Sequence, residues 1–300
     1  MNNNYDNAIN NRYEFVILYD VTNGNPNGDP DAGNLPRTDP ETGNGIVTDV
    51  CIKRKIRNCV ELMEQDKSKF DIYIRQGAVL NNQDNVGLEA VKDEKDKNKR
   101  SMGFRESMCE RFYDIRTFGA VMTTAAKKGK DLISVAGQVR GPVQIAFGRS
   151  VDPVMPREIT ITRVAVTNEK DAEKKDNEMG RKSLIPYGLY RQEGYISANL
   201  ARTVTGFSEG DLEVFWKALI HMFDEDRSAA RGQMVLRELI VFKHENPLGN
   251  APAHKLFERV KVSRKNPDKD ARTYTDYEIS VDECDLPQGV SLDWKYRDNV

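Results

Sequence analysis

Three cations near the start of a predicted helix are the residues of this chain best suited to bind a charged ligand. Lys53, Arg54 and Arg57 follow Thr48 and Asp49, either of which could cap a helix that begins there. The first amide groups of a helix have no partner within it and attract anions. The pattern therefore predicts a phosphate-binding site. A basic helix face that is only solvated is the alternative.

A long loop leads into this helix and could bring its backbone close to a ligand. It runs from Asn23 to Gly45 and is rich in glycine, proline, asparagine and aspartate, which are the residues that favour turns. Glycine lets a backbone approach a bound group closely. We therefore count Asn23 and Gly45, the two ends of this loop, among the candidate binding residues.

The same loop contains three aspartates that could form an acidic metal site. Asp29, Asp31 and Asp39 have a simpler interpretation, because aspartate commonly bonds to backbone amides in turns. A calcium loop is rejected, since its first and twelfth positions would be Asn23 and Asn34. No Gly-Lys-Ser/Thr follows to make a P-loop, and the histidines lack zinc-site spacing. We expect no cofactor.

The overall charge does not favour a dedicated nucleic-acid-binding protein. The chain of 300 residues has 45 basic and 47 acidic residues, which gives a net charge of −2, whereas such proteins are usually basic. Any nucleic-acid function must come from local segregation of charge. No apolar run of about 18 residues predicts a membrane helix. The 4 cysteines lack close paired spacing, which is typical of a reducing cytoplasm.

The predicted elements place the loop and helix in an α+β fold. A strand is predicted over Glu14–Asp20, directly before the loop, and the apolar spacing after Thr48 predicts a helix with one buried face. A second helix is predicted over Leu212–Phe223, and a strand over Met234–Phe242. With the strands predicted between the two helices, the order is strand, helix, strands, helix, strand, which is that of the split βαβ, or ferredoxin-like, arrangement found in RNA-recognition (RRM) folds.

Other stretches predict insertions into this arrangement. Two β-rich runs, 159–166 and 184–197, flank a polar stretch and predict a long protruding hairpin. The highly charged residues 81–100 are expected to form a loop. The aromatic RRM motif is missing, because its nearest match, Arg140–Phe147, keeps only the initial Arg-Gly. Any RNA contacts should therefore fall on the backbone rather than on the bases.

Several motifs, taken together and in this order, resemble one protein family. They are Phe15–Pro30, Thr48–Asn58, Asp114–Gly119, Val139–Gln144 and Ile185–Tyr190. The chain resembles the CRISPR-associated backbone subunit of type I-C Cascade, the Cas-seven family, from about Asn11 to His244.

The resemblance implies one RRM-like domain with insertions. Its implied parts are a palm (11–63, 137–150 and 187–244), a helical finger insertion (about 64–136), a long β-hairpin thumb (about 151–186) and an irregular C-terminal extension (245–300). Members polymerise along the CRISPR guide RNA, and the thumb of one copy covers the RNA of the next. The implied protein is a cytoplasmic, non-catalytic scaffold. Its implied partners are the guide RNA, target DNA paired to the guide, other copies of itself, other Cascade subunits and, indirectly, a recruited helicase-nuclease.

The resemblance also implies which residues contact RNA. The loop and helix would contribute Thr48, Lys53, Arg54 and Arg57, the palm Arg140, and the thumb Arg163, Arg181 and Lys182. Two alternatives stay open. One is a metal-dependent RNA-cleaving subunit like those of type III complexes, which would use a loop aspartate. The other is a protein-interaction module, which would show no salt-dependent affinity for RNA.

Overall fold

The computed structural model describes residues 5–122, 125–128, 131–134, 137–165 and 178–298. Its strands are β1 (Tyr13–Gly24), β2 (Gly28–Asp29), β3 (Leu35–Pro36), β4 (Asn44–Val47), β5 (Gly119–Met122), β6 (Ala125–Lys128), β7 (Asp131–Ser134), β8 (Gly137–Arg140), β9 (Val143–Ile145), β10 (Gly148–Pro153), β11 (Arg157–Arg163), β12 (Glu178–Ile196), β13 (Gln233–His244), β14 (Val260–Arg264), β15 (Tyr277–Val281) and β16 (Val290–Arg297). Its α-helices are α1 (Asp49–Met63), α2 (Leu80–Ala90), α3 (Lys97–Arg111), α4 (Tyr113–Phe118), α5 (Ala198–Leu200), α6 (Glu209–His221) and α7 (Ala253–Phe257). Shorter turns are 3₁₀ at Pro30–Ala32 and Tyr274–Asp276, and π at Ala201–Thr205. Within these ranges no helix is both long and apolar enough to cross a bilayer.

Strand β1 lies in the middle of a large antiparallel sheet. The strands follow the order β16–β13–β1–β12–β10–β4, and β9 and β11 also pair with β12. Phe15 and Ile17 belong to the hydrophobic core on one face of the sheet, and Val16 and Leu18 to the core on the other. Burial on both faces explains why this strand is a continuous apolar run rather than an alternating one. The strand predicted over Glu14–Asp20 is confirmed.

Helices α1 and α6 pack side by side on one face of the sheet. Ile52 and Ile56 of α1 join Phe215 of α6 in the core on that face. The start of α6 is held by a capping box, in which the Ser208 hydroxyl accepts from the Asp211 amide and the Asp211 carboxylate accepts from the Ser208 amide. Both predicted helices are confirmed.

Helices α2, α3 and α4 surround a smaller core of their own. Phe104 and Met108 of α3 are buried there with Phe112. The prediction that residues 81–100 form a loop is wrong, because α2 and α3 occupy most of that stretch. Gly87 is the point of contact, since a Cβ atom there would lie 2.6 Å from the Phe104 ring. Because α2 packs through a glycine, its sequence shows little apolar periodicity, and the helix could not be predicted from spacing.

Strand β11 and the first part of β12 form a hairpin whose β11 strand is exposed along its whole length. The pairing runs from Arg157 opposite Leu184 to Arg163 opposite Glu178. Strand β12 then continues into the large sheet, where it pairs with β1. The hairpin prediction is confirmed for these paired strands, while residues 166–177, its predicted tip, lie outside the described residues.

The C-terminal segment covers the second face of the sheet with regular structure. Strands β14 and β15 form a hairpin, and β16 pairs with β13 at the sheet edge. Leu256 and Tyr274 join the core around Val16 and Leu18. The prediction of an irregular extension over 245–300 is therefore wrong. The strands were missed because they are short and half-exposed and leave only a weak apolar pattern in the sequence. This part of the sheet is closed to stacked bases.

Glu238 of β13 provides a test of how this second core is held. Its side chain is buried, and its Oε1 accepts a hydrogen bond from the Tyr274 hydroxyl at 2.5 Å while Oε2 has no partner. Burial raises the pKa of Glu238 above its ordinary value. The folded protein thus binds this proton more tightly than the unfolded chain, and stability falls as the pH rises through the folded-state pKa.

We therefore expect Glu238→Gln to raise the free energy of unfolding at pH 7.5, because glutamine keeps an acceptor for Tyr274 without a buried charge. The gain should shrink as the pH falls below the ordinary glutamate pKa of about 4.3. Urea denaturation of both proteins at pH 7.5 and at a pH below about 4.3 measures this difference in the free energy of unfolding. A variant that is less stable at pH 7.5 would show that the charge itself is needed.

Candidate nucleic-acid interface

An open cleft of about 1130 Å³ lies between α1, the loop after β1 and the loop after α6. Among the described residues that line it, seven are cationic and one, Asp226, is acidic, and six of the seven cations pair with carboxylates in or beside the cleft. The cations are Arg37, Lys53, Arg54, Lys55, Arg57, Arg75 and Arg231. Val50 and Ile74 add apolar surface, at 63% and 48% exposure. In a chain of net charge −2, this is the local segregation of charge that a nucleic-acid function requires.

The start of α1 is held by the loop before it. Thr48 occupies the N-cap position, but its side chain forms no cap hydrogen bond. Its amide and its hydroxyl both donate instead to Oδ1 of Asn27, each at 2.9 Å. The loop asparagine therefore fixes where the helix begins, and both residues line the cleft.

Lys53 and Arg54 present their charges to the cleft in different ways. The Lys53 ammonium lies 2.8 Å from the Asp49 carboxylate and 5.6 Å from the centre of the Phe118 ring. Arg54 is exposed, and no carboxylate pairs with it in the part of the chain that the structure describes. Arg54 can therefore bind a phosphate without first giving up an ion pair.

Arg57 is buried, so the alternative of a basic helix face that is only solvated does not hold for this residue. Its Nε donates to Oδ2 of Asp114 at 2.7 Å, and its guanidinium lies 5.2 Å from the centre of the Phe118 ring. Asp114 also accepts from the amides of Tyr73 and Ile74, at 2.8 and 3.1 Å. This ion pair joins α1 to α4, whose last residue, Phe118, also lines the cleft.

Four cleft cations were not predicted from the sequence. Lys55 and Arg231 share the carboxylate of Asp226. Arg37 lies 3.4 Å from Asp29, and Arg75 makes only long ion pairs of 3.6 and 3.8 Å. The helical spacing could have indicated that Lys55 is buried, since it lies about one turn from Ile52 and Cys59, which are both buried. Arg37, Arg75 and Arg231 come from separate loops, and no local pattern shows that they meet.

Three other predicted residues do not line the cleft. Arg140 is exposed at the end of β8, and its backbone lies opposite Gly119 at the cleft wall. Gly45 is buried, and a Cβ atom there would lie 2.2 Å from the Tyr190 hydroxyl, so its role is to permit packing. Asn23 is exposed and adopts a positive φ of 49°, as expected of a turn.

The predicted hairpin residues also lie outside the cleft. The Lys182 ammonium donates to the carbonyl oxygen of Ala229 at 3.2 Å. Arg181 is 77% exposed and lies 3.7 Å from Glu158, and Arg163 pairs with Glu178. Ala229 adjoins residues that line the cleft, so the base of the hairpin rests on the rim of the cleft.

Two of the three loop aspartates, Asp29 and Asp39, are occupied by local contacts. Asp29 accepts from the Asp31 amide at 3.2 Å and pairs with Arg37. Asp39 accepts from the Glu41 amide, and its hydrogen bond from Arg149 lowers the pKa of its carboxyl. Within the described ranges, no three His, Cys, Asp or Glu side chains come together as metal ligands would. Turn chemistry and ion pairs account for Asp29 and Asp39.

Comparison with known proteins assigns the chain to a family. The family model described as CRISPR-associated protein Cas7 matches residues 11–282. The CRISPR-associated protein Cas7 of Haloferax volcanii is 30% identical over 233 residues, which cover 70% of this chain and 64% of that protein. The match thus spans less than two-thirds of that relative's length. Two solved chains are also similar. One is described as "CRISPR RNA-guided surveillance complex, pre-nicking" and is 16% identical with a TM-score of 0.45. The other is described as "CRISPR RNA-guided surveillance complex" and is 14% identical with a TM-score of 0.44. Each alignment covers 77% of this chain, with 78% and 68% of the solved chains. The chain belongs to the CRISPR-associated protein Cas7 family.

Proposed function

We propose that this protein is a non-catalytic backbone subunit that binds guide RNA in the basic cleft and polymerises along it in a CRISPR surveillance complex. The observation that carries the proposal is the cleft itself, which is lined by seven cations, including the exposed Arg54 that no carboxylate pairs with among the described residues. Phosphate contacts of this kind supply most of the affinity of sequence-independent binding. Membership of the Cas7 family supports the choice of guide RNA as the ligand.

The surfaces available for contact favour recognition of the sugar-phosphate backbone. Phe118 is the one aromatic residue among those that line the cleft, and it is only 7% exposed beneath Lys53 and Arg57. It therefore offers no platform for stacked bases. The sheet beside β1 is covered by the C-terminal segment. Contacts to phosphate and sugar carry no sequence information, as a guide-binding scaffold requires.

We assign the parts of the fold to an RRM-like subunit. We propose that strands β13–β1–β12–β10, with α1 and α6 on one face, form a palm of the split βαβ type; their neighbouring order in the sheet supports this. Residues of about 64–136 would be the finger insertion, and the hairpin within about 151–186 the thumb. Arg140, Arg163, Arg181 and Lys182 would then contact parts of the RNA that lie outside the cleft.

The hairpin supports assembly with a neighbouring copy. Ile159 and Ile161 are 45% and 41% exposed, and Val164 and Met179 are 91% and 74% exposed. Exposed apolar side chains on a protruding ribbon are typical of a surface that another chain covers. Within a type I-C complex in the cytoplasm, the further partners would be target DNA paired to the guide, other subunits and, indirectly, a helicase-nuclease. The RNA-cleaving alternative is not favoured, because Asp29 and Asp39 are engaged in turns and ion pairs.

Two measurements on the purified full chain test this proposal. Affinity for two unrelated RNAs of equal length should be the same and should fall linearly on a logarithmic salt scale. Electron microscopy with a long RNA should show filaments. Discrete monomers on the RNA, or an affinity that depends on sequence and not on salt, would contradict the proposal.

A further inference from the structure

Asn25 lies in the wall of the cleft and has an unused hydrogen-bond acceptor. Its side chain is 8% exposed, and its Nδ2 donates to the carbonyl oxygen of Asn34 at 2.7 Å. Only the NH₂ group can donate to a carbonyl, so this bond fixes the orientation of the amide. Oδ1 is left buried without a partner. The backbone is held as well, because the Asn25 amide donates to Ala230 at 2.9 Å.

A buried acceptor without a partner is costly, so a ligand that supplies a donor gains affinity there. A site that ignores sequence must use a group that every nucleotide carries. Phosphate oxygens and the sugar ring oxygen only accept hydrogen bonds, and the amino groups of the bases differ from base to base. The ribose 2′-hydroxyl is the one donor common to every nucleotide of RNA, and DNA lacks it.

We infer that Oδ1 of Asn25 accepts a hydrogen bond from a ribose 2′-hydroxyl and makes the cleft select RNA over DNA. This inference rests on the proposed RNA-binding function of the cleft. Arg37, from the same loop, supports it, because its buried Nε is a donor that also lacks a partner. A phosphate oxygen is the kind of acceptor that this Nε lacks.

The loop between β1 and α1 must adjust for this contact to form. Both unpaired atoms are shielded from solvent, so a ligand reaches them only if the loop shifts. Residues 30–35 of that loop are exposed, while Asn27 anchors an earlier part of the loop to Thr48 at the start of α1. Asn25 therefore acts as a specificity-determining residue in the wall of the cleft.

Oligonucleotides of one sequence that differ only at the 2′ position isolate this hydrogen bond. The full-length wild-type protein is titrated at one salt concentration with RNA, with DNA and with 2′-fluoro RNA. The fluoro sugar keeps a ribose-like pucker but cannot donate. A single net hydrogen bond corresponds to roughly five-fold in affinity. We expect RNA to bind about five-fold more tightly than 2′-fluoro RNA, and DNA to bind no better than the fluoro form.

Two variants complete the test. Asn25→Ala should bind RNA and 2′-fluoro RNA equally. Asn81→Ala replaces an exposed asparagine of α2 outside the cleft and should keep the wild-type preference. The wild-type titrations remain decisive even if Asn25→Ala fails to fold.

The outcomes separate this inference from the proposed function. Equal wild-type affinity for RNA and 2′-fluoro RNA, with steep salt dependence in both, would overturn the inference and leave the proposed function intact. An Asn25→Ala protein that is less stable but keeps the preference would show that the amide serves the fold only, and would also overturn it. Absence of salt-dependent RNA binding by the wild type would overturn both.

Discussion

Replacing Asp114 by alanine should lower the free energy of unfolding by about 3–5 kcal/mol, the usual cost of removing one partner of a buried ion pair. Asp114 is 1% exposed and accepts from Nε of Arg57 at 2.7 Å. It also accepts from the amides of Tyr73 and Ile74. The variant would leave a buried guanidinium and two amides without their acceptor. Urea denaturation monitored by fluorescence measures the change.

Asp39→Ala is the matched control for that variant. Asp39 also pairs with an arginine at 2.7 Å, but its partner, Arg149, is 57% exposed. Ion pairs that are open to solvent contribute little to stability, so this variant should unfold close to wild type. Equal losses in the two variants would mean that burial does not set the strength of the Asp114 pair. RNA affinity of Asp114→Ala, measured where the protein is still folded, should fall too, since Asp114 joins α1 to α4, and both helices contribute residues to the cleft.

The second large effect concerns RNA affinity. Replacing Arg37, Lys53, Arg54 and Arg75 together by alanine removes four of the five cleft cations that are exposed or only partly buried. Each phosphate contact to a single strand contributes about 0.7 to the slope of log affinity against log salt. The magnitude of the slope should therefore fall by about 2.8. When salt rises from 50 to 200 mM, the factor by which wild-type affinity drops should be about 50 times the factor for the variant.

A second quadruple variant controls for overall charge. Lys261, Lys265, Lys269 and Lys295 are exposed lysines of the C-terminal segment. Their replacement by alanine changes the net charge by the same −4 but leaves the cleft intact. This protein should keep the wild-type affinity and salt slope in filter-binding titrations. A slope reduced as much as in the cleft variant would show that binding follows net charge and not the cleft.

Much of the fold is readable from local pattern. β1 and α6 are marked by apolar runs of the right length and period, and Ser208 marks the start of α6 with a capping box. The hairpin is marked by two β-rich runs around a polar tip. In each case the residues that form the element are neighbours in the chain, so periodicity and turn chemistry suffice.

The site was only partly predictable, because its contacts join distant parts of the chain. The position of α1 and the exposure of Arg54 follow from helical spacing. The burial of Arg57 depends on Asp114, which lies 57 residues further on, and the pairing of Lys55 depends on Asp226, 171 residues further on. Helix periodicity cannot tell a solvated arginine from one that faces an acidic residue of another helix. Only the fold reveals that Arg37, Arg75 and Arg231 line the same cleft.

The central claim is that RNA lies in the cleft between α1 and the two loops. Crosslinking tests this claim most directly. The full-length protein is bound to RNA that carries 4-thiouridine and is irradiated. The protein is then digested, and mass spectrometry identifies the crosslinked peptides. We expect crosslinks in peptides that contain residues 25–37, 48–58, 74–76 and 228–231, which line the cleft. Crosslinks confined to the C-terminal segment, residues 253–297, would contradict the claim.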